Sequence, residues 1–389
     1  MMRPRRSPVI AVVLSVGLIA FSVAGCGEPM RRGGQAFGPC YPPPPHTARV
    51  QYLRSFSGGS DFGYEGGSVW RHLFGGPSES HGNLVKPHGL AATAGKLYVC
   101  DSAQGGIFVF DFAAGSFDRW DAADDALSTP VAVRVTDAGQ VQVCDAGRGA
   151  VVSYDSGGRL LGLVDLNTLQ ETSPGASLPE AFRPVALADG PEGTTAVLNA
   201  AAHRVELIDL PAGRHVGSWA GPGSGSGKLY YPAAMTRATD GDLLVSDRMN
   251  RRVVVLGPDG SPAGGFGDAG DQPGYIAQPR GVAVDEYDTV YLVDSQFPAV
   301  QLFDREGEFL MGLGYGDRAG ADLSLPAGIC LDRSCLPYFT DWIRPGFEAE
   351  YLIFVSDQLG AYRVHVYAFG SGATPPAEEA GTAVARNPQ

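Results

Sequence analysis

The chain has 389 residues, with 54 glycines and 29 prolines that imply many turns, and a hydrophobic content of 44% that excludes a disordered chain. Its formal net charge is −13. An acidic surface of that size repels phosphate backbones and argues against a nucleic-acid partner.

In chain order, the first 25 residues read as a targeting segment. Arg3, Arg5 and Arg6 precede an apolar run from Val9 to Phe21 that is too short for a comfortable membrane span. The run ends in Val23-Ala24-Gly25-Cys26, which resembles the bacterial lipobox. The resemblance implies lipidation of Cys26 and an exported protein held to the membrane by its lipid alone, and Gly27 after the cysteine points to the outer membrane. Loss of the leader's three arginines takes the charge from −13 to −16 and leaves Lys86, Lys96 and Lys228 as the lysines. Residues 26–47, with Pro42 to Pro45, read as a stiff tether. Residues 57–85 carry Val69, Trp70, Leu73 and Phe74 at helical spacing and predict a short helix.

From Lys86 onward one pattern recurs: a proline, a short apolar strand, a turn, a second strand ending in Asp or Asn, and a third strand. The prolines are Pro87, Pro130, Pro184, Pro232, Pro279 and Pro326, and the strand ends are Asp101, Asp145, Asn199, Asp247, Asp294 and Asp357. Hairpin signals such as Asp137-Ala138-Gly139, Asp240-Gly241 and Asp259-Gly260 separate the strands. A repeat of about 40 to 50 residues containing several strands is the mark of a propeller. Six copies predict an all-β, six-bladed β-propeller over residues 48–369. A propeller hides its open edges, so the strand-like segment Arg49–Phe56 is expected to supply the outer strand of blade six. Residues 332–350 interrupt that blade, and residues 370–389 read as a disordered tail.

Leu244-Val245-Ser246-Asp247 followed by Asn250-Arg251-Arg252-Val253-Val254-Val255 resembles the NHL repeat. The lead-in Ala48–Phe56 and the ending Glu350–Gly360 with Val364–Tyr367 look like a bacterial family of NHL-repeat lipoproteins. That resemblance implies a binding or scaffolding role at the cell envelope, in a setting that includes multihaem cytochromes. It establishes no activity.

In such a ring the residue after each proline sits at the mouth of the central channel. Those positions are His88, Val131, Val185, Ala233, Arg280 and Ala327. The amidating lyase that cleaves peptidyl-hydroxyglycine, an NHL-like propeller, presents Pro-His from three blades to one zinc. Here only Pro87-His88 matches, so its zinc site is not inherited. His88 and Arg280 are the candidates for a small anion or carboxylate site, Arg280 as a fork donor; the bland alternative is that both cap neighbouring loops. The six copies of Asp or Asn read as turn chemistry. No cofactor is expected. Calcium stays open as an alternative, although no loop resembles an EF-hand array. Gly221–Lys228 lacks the phosphate-loop pattern, because Pro222 and Leu229 stand where it needs Gly and Ser or Thr.

Cys330 and Cys335, in an oxidising compartment, are expected to form a local disulfide across the blade-six insertion. Trp70, Phe74, Tyr338, Trp342 and Arg344 are candidates for a surface that meets a protein partner, a cytochrome among the options. The competing reading is that these aromatics plug the core. The sequence therefore favours a non-catalytic scaffold, with a metal-dependent lyase or hydrolase at the channel mouth as the alternative.

Overall fold

The computed structural model describes residues 37–43, 46–63, 82–120, 127–171, 181–315 and 321–372. It is a six-bladed β-propeller. Blade one shows the plan: Pro87–Thr93, Lys96–Asp101, Gly106–Asp111 and Ser116–Trp120 form one antiparallel sheet, from the channel outward. The inner strands of the following blades are Pro130–Val135, Pro184–Asp189, Ala234–Arg237, Pro279–Val284 and Pro326–Asp332. Each touches the inner strand of the next blade, and the sixth touches the first.

Burial explains why the strands read as they do. A middle strand is covered on both faces by neighbouring blades, so its sequence is a continuous apolar run. Val141–Asp145, Leu243–Asp247 and Val290–Asp294 are buried at every position. Outer strands such as Leu160–Asp165 and Pro262–Phe266 are largely exposed. Within Lys96–Asp101 the side chains alternate: Leu97 and Val99 pack toward blade six, Tyr98 and Cys100 toward blade two. Every blade-to-blade junction holds one such apolar cluster. The core is thus six wedges arranged around an axis.

Blade six closes the ring as expected. Ala48–Phe56 pairs with Val364–Gly372, from Ala48 opposite Gly372 to Phe56 opposite Val364. Phe56 then stacks edge-on to Phe110 of blade one, with centroids 4.8 Å apart. The first and last strands meet inside one blade, which removes the open edge.

Three expectations need correction. The last strand runs to Gly372, so the tail cannot begin at 370. Cys40–Tyr41 pairs with Val50 and Gln51 as a fifth strand, so this part of the tether lies against blade six. Cys330 and Cys335 are free thiols. The Cys335 amide donates to Asp332 Oδ1 at 2.6 Å and its sulfur faces the Lys96 carbonyl, in the apolar cluster between blades six and one on which Cys330 also packs. Burial pushes both thiols up, away from the reactive thiolate.

The blade-six insertion is a plug more than a platform. Phe339 and Phe347 are buried, and Trp342 is half-buried against the same cluster. The buried Gln51 amide donates to the Trp342 carbonyl at 2.9 Å and accepts from the Arg344 backbone amide at 3.0 Å. The Arg54 guanidinium lies 4.1 Å from the Phe62 ring centre and 4.8 Å from that of Trp342, and the Arg344 guanidinium lies over Phe37. Trp342 and Arg344 are therefore engaged within the fold, while Tyr338 stays exposed. Cys26, Trp70, Phe74 and the helix expected from Val69 to Phe74 lie outside the described residues.

Candidate functional site at the channel mouth

Period-two alternation sends every second residue of an inner strand into the channel. Counting from each proline, positions −1, +1 and +3 should face the axis together. All six residues at +1 line one cavity of about 380 Å³, His88 and Arg280 among them. The six at +3 also line it: Leu90, Val133, Leu187, Met235, Val282 and Ile329 form an apolar floor. At −1, Lys86, Thr129, Arg183 and Tyr231 join the wall. The position after the strand-ending Asp adds Arg248 and Gln358.

Position +2 is always Gly or Ala: Gly89, Ala132, Ala186, Ala234, Gly281 and Gly328. A Cβ on Gly328 would come within 2.2 Å of the His88 carbonyl oxygen, and one on Gly89 within 2.7 Å of the Ala132 Cα. Only small residues let neighbouring inner strands approach this closely. The channel therefore narrows below the ring that carries His88 and Arg280.

The backbones of these two residues are held by the preceding blades. Ser356 Oγ donates to the His88 carbonyl at 2.6 Å and accepts from the Gly328 amide at 2.8 Å. Ser246 Oγ donates to the Arg280 carbonyl at 2.5 Å and accepts from the Ala234 amide at 2.9 Å. Gln358 links Arg280 to the residue before His88: its Oε1 accepts from Arg280 Nη1 at 3.1 Å and its Nε2 donates to the Pro87 carbonyl at 3.1 Å.

The buried Asp and Asn residues support this ring from behind. Asp294 accepts from the amides of Ala277, Gln278, Gln296 and Phe297. Asp101 does the same for Val85, Lys86, Ala103 and Gln104. Each carboxylate thus ties the local turn to the loop that enters the inner strand. These groups build the scaffold, as turn chemistry predicts, and none of them lines the cavity.

The electrostatics of the mouth oppose those of the chain. Lys86, Arg183, Arg248 and Arg280 line it, and no Asp or Glu does among the described residues. Arg248 Nε is buried without a hydrogen-bond partner. Burial and the charge of Arg248 lower the Arg280 pKa. His88 is pushed down to about 4, first by burial and then by Arg280, with Lys86 and Arg183 adding to it. Its hydrogen bond to the Val131 backbone favours the protonated ring, so the imidazole donates to that carbonyl. The neutral ring keeps its other nitrogen as an acceptor.

Among the described residues this donor set does not fit a divalent cation: one imidazole, no carboxylate and four nearby positive charges. Among the described residues no group of three or more His, Cys, Asp or Glu side chains could hold a metal. His203 and His215 lie elsewhere. His215 is buried on an outer strand of blade three, where its Nε2 lies 2.9 Å from Glu206; His203 sits at the rim beside Tyr231.

Sequence reasoning found His88 and Arg280 and missed Lys86, Arg183, Arg248 and Gln358. The first two were within reach, since the alternation that places +1 also places −1. Arg248 and Gln358 come from the middle strands, and only the ring geometry shows that their turns lean over the axis.

A propeller with a cationic, part-apolar cup at its axis is the class these features define. No family model and no curated protein matches the chain. Among solved structures, a gluconolactonase from Xanthomonas campestris is similar, with 14% identity, coverage of 87% of this chain and 99% of that one, and a TM-score of 0.55. A Bacteroides thetaiotaomicron protein of unknown function gives 16% identity, 83% and 76% coverage and a TM-score of 0.55. A catalytically inactive virginiamycin B lyase from Staphylococcus aureus, with quinupristin, gives 12% identity, 73% and 95% coverage and a TM-score of 0.50. At these identities the likeness establishes the fold.

Proposed function

We propose that the protein binds a small organic anion at the channel mouth and acts on it as a lyase or hydrolase. The observation that carries this reading is the charge inversion: among the described residues, four cations and no carboxylate line one cavity in a chain of net charge −13. An unbalanced, partly desolvated cluster of guanidinium groups is costly unless an anion joins it. Arg280 and Arg248 would grip the anion through charge-assisted hydrogen bonds. The same groups would offset negative charge that develops in an enolate or oxyanion. His88, neutral and fixed in one tautomer, would take up the proton. A bound anion would relieve the repulsion from Arg280, Lys86 and Arg183 and so raise the His88 pKa toward a useful range.

Two further observations support small-molecule chemistry over protein docking. Trp342 and Arg344, two of the residues a docking surface would need, are engaged within the fold. Propellers of the same fold include proteins described as a gluconolactonase and a virginiamycin B lyase. The metal that the lyase alternative would use finds no fitting donors here, so no step is assigned to one. The exported placement on a Cys26 lipid anchor belongs to the proposal too, and palmitate labelling of wild type against Cys26→Ala tests it.

Calorimetric titration at low salt with acetate, phosphate and citrate tests the site. At least one anion should bind, about tenfold or more weaker in Arg280→Ala, and a panel of lactones and elimination substrates should then show turnover. Absence of any anion binding by the folded protein would end the proposal.

A further inference from the structure

One side of the cationic cup carries exposed rings. Tyr231 lines the cavity with Arg280 and is 48% exposed. Its ring stands edge-on to His203 at 4.3 Å and to Tyr230 at 5.1 Å. Tyr230 is itself 44% exposed and Met249, next to Arg248, is 55% exposed. The rim beside the cations therefore carries exposed aromatic and apolar side chains.

The backbone of Tyr231 is strained. Its φ is +50°, a left-handed conformation rare for a bulky residue. The equivalent residues before the other five prolines, Lys86, Thr129, Arg183, Gln278 and Leu325, have no positive φ. The strained conformer is held in place. The Tyr231 amide donates to His203 Nδ1 at 2.8 Å, and the Tyr230 amide donates to Asp247 at 2.6 Å. The Met249 amide donates to the Tyr230 carbonyl at 3.1 Å. Strain of this kind persists where the surroundings over-determine it, and it clusters at ligand sites. Here burial rewards it little, because the ring it positions is only half-buried at the cavity edge.

We propose that the ligand is a ring-bearing organic acid, whose acidic group meets Arg280 and Arg248 while one flat face of its ring lies on Tyr231. This rests on the anion site of the proposed function and adds the chemistry of the rest of the molecule. A cavity of about 380 Å³ falls at the lower end of small-ligand pockets and holds an acid with a single ring. An exposed phenol face suits an aromatic ring by offset stacking or a sugar ring by its C–H face.

Calorimetry with acetate, phenylacetate and galacturonate separates these contributions. Phenylacetate or galacturonate should bind at least about tenfold tighter than acetate, and which of them does so tells aromatic from sugar acid. Tyr231→Gly removes the ring and also relieves the left-handed backbone, so this variant should melt no lower than wild type while losing most of the ring preference. Tyr231→Phe should keep the preference. If acetate binds as tightly as both ring acids, or if Tyr231→Gly keeps the preference, the ring inference fails and the anion site stands. If no acid binds at all, both fail.

Discussion

Acidification should cost this protein stability through His88. In the folded state the imidazole pKa is pushed from the ordinary 6.5 down to about 4 by burial and by Arg280. As the pH falls through 6.5 the unfolded ring takes up a proton, while the folded ring waits until about 4. Between those values the unfolded state binds more protons, so stability declines with falling pH and the penalty is complete below 4. A difference of this size corresponds to about 3 kcal/mol, reduced to about 2 kcal/mol because the ring is partly open to the cup. His365 is also held down to about 4 by burial and contributes with the same sign. A comparison with His88→Gln cancels His365 and the carboxylates, and leaves the term from His88. Urea unfolding of both proteins at pH 7, 6, 5 and 4 should show the variant gaining about 2 kcal/mol on wild type across the series. A saturating anion at the mouth should shrink that gain by raising the folded pKa. Parallel stability profiles, or a His88 ring that titrates near 6.5 by NMR, would refute the reasoning.

Other outcomes follow from the same geometry. Asp294→Ala removes a buried acceptor of four amides and should cost about 3 kcal/mol or more in denaturant unfolding, since stranded buried donors cost about 1–3 kcal/mol each. Asp294→Asn should cost less, because Asn199 already does this work in blade three through its Oδ1. Gln358→Ala frees the Arg280 guanidinium and should weaken anion binding several-fold, with a stability loss of about 1 kcal/mol. A chain that begins at residue 57 lacks the strand closing blade six and exposes the edge of Val364–Gly372. It should self-associate in size-exclusion chromatography, whereas one that begins at residue 37 should elute as a single species.

The sequence alone determined the number of blades, their order and the strand that closes them. Those features rest on local chemistry repeated six times: a proline before each inner strand, an apolar middle strand, and an Asp or Asn that binds backbone amides. The register of the inner strands was legible as well, which is why His88 and Arg280 could be placed at the axis. The tertiary structure decided what surrounds them. Arg248 and Gln358 reach the cup from turns whose lean depends on packing between blades, and local sequence carries no mark of that. Trp342 and Arg344 are engaged within the fold because Gln51 and Arg54, some 290 residues earlier in the chain, meet the insertion when the ring closes. Cys330 and Cys335 are near in sequence and pack on one cluster between two blades, yet both are free thiols, which their spacing alone did not show. Charge shows the division most plainly. Composition makes the chain acidic, but only the convergence of separate blades on one axis gathers Lys86, Arg183, Arg248 and Arg280 into a single positive site, because proximity there is set by rotation about the ring and not by distance along the chain.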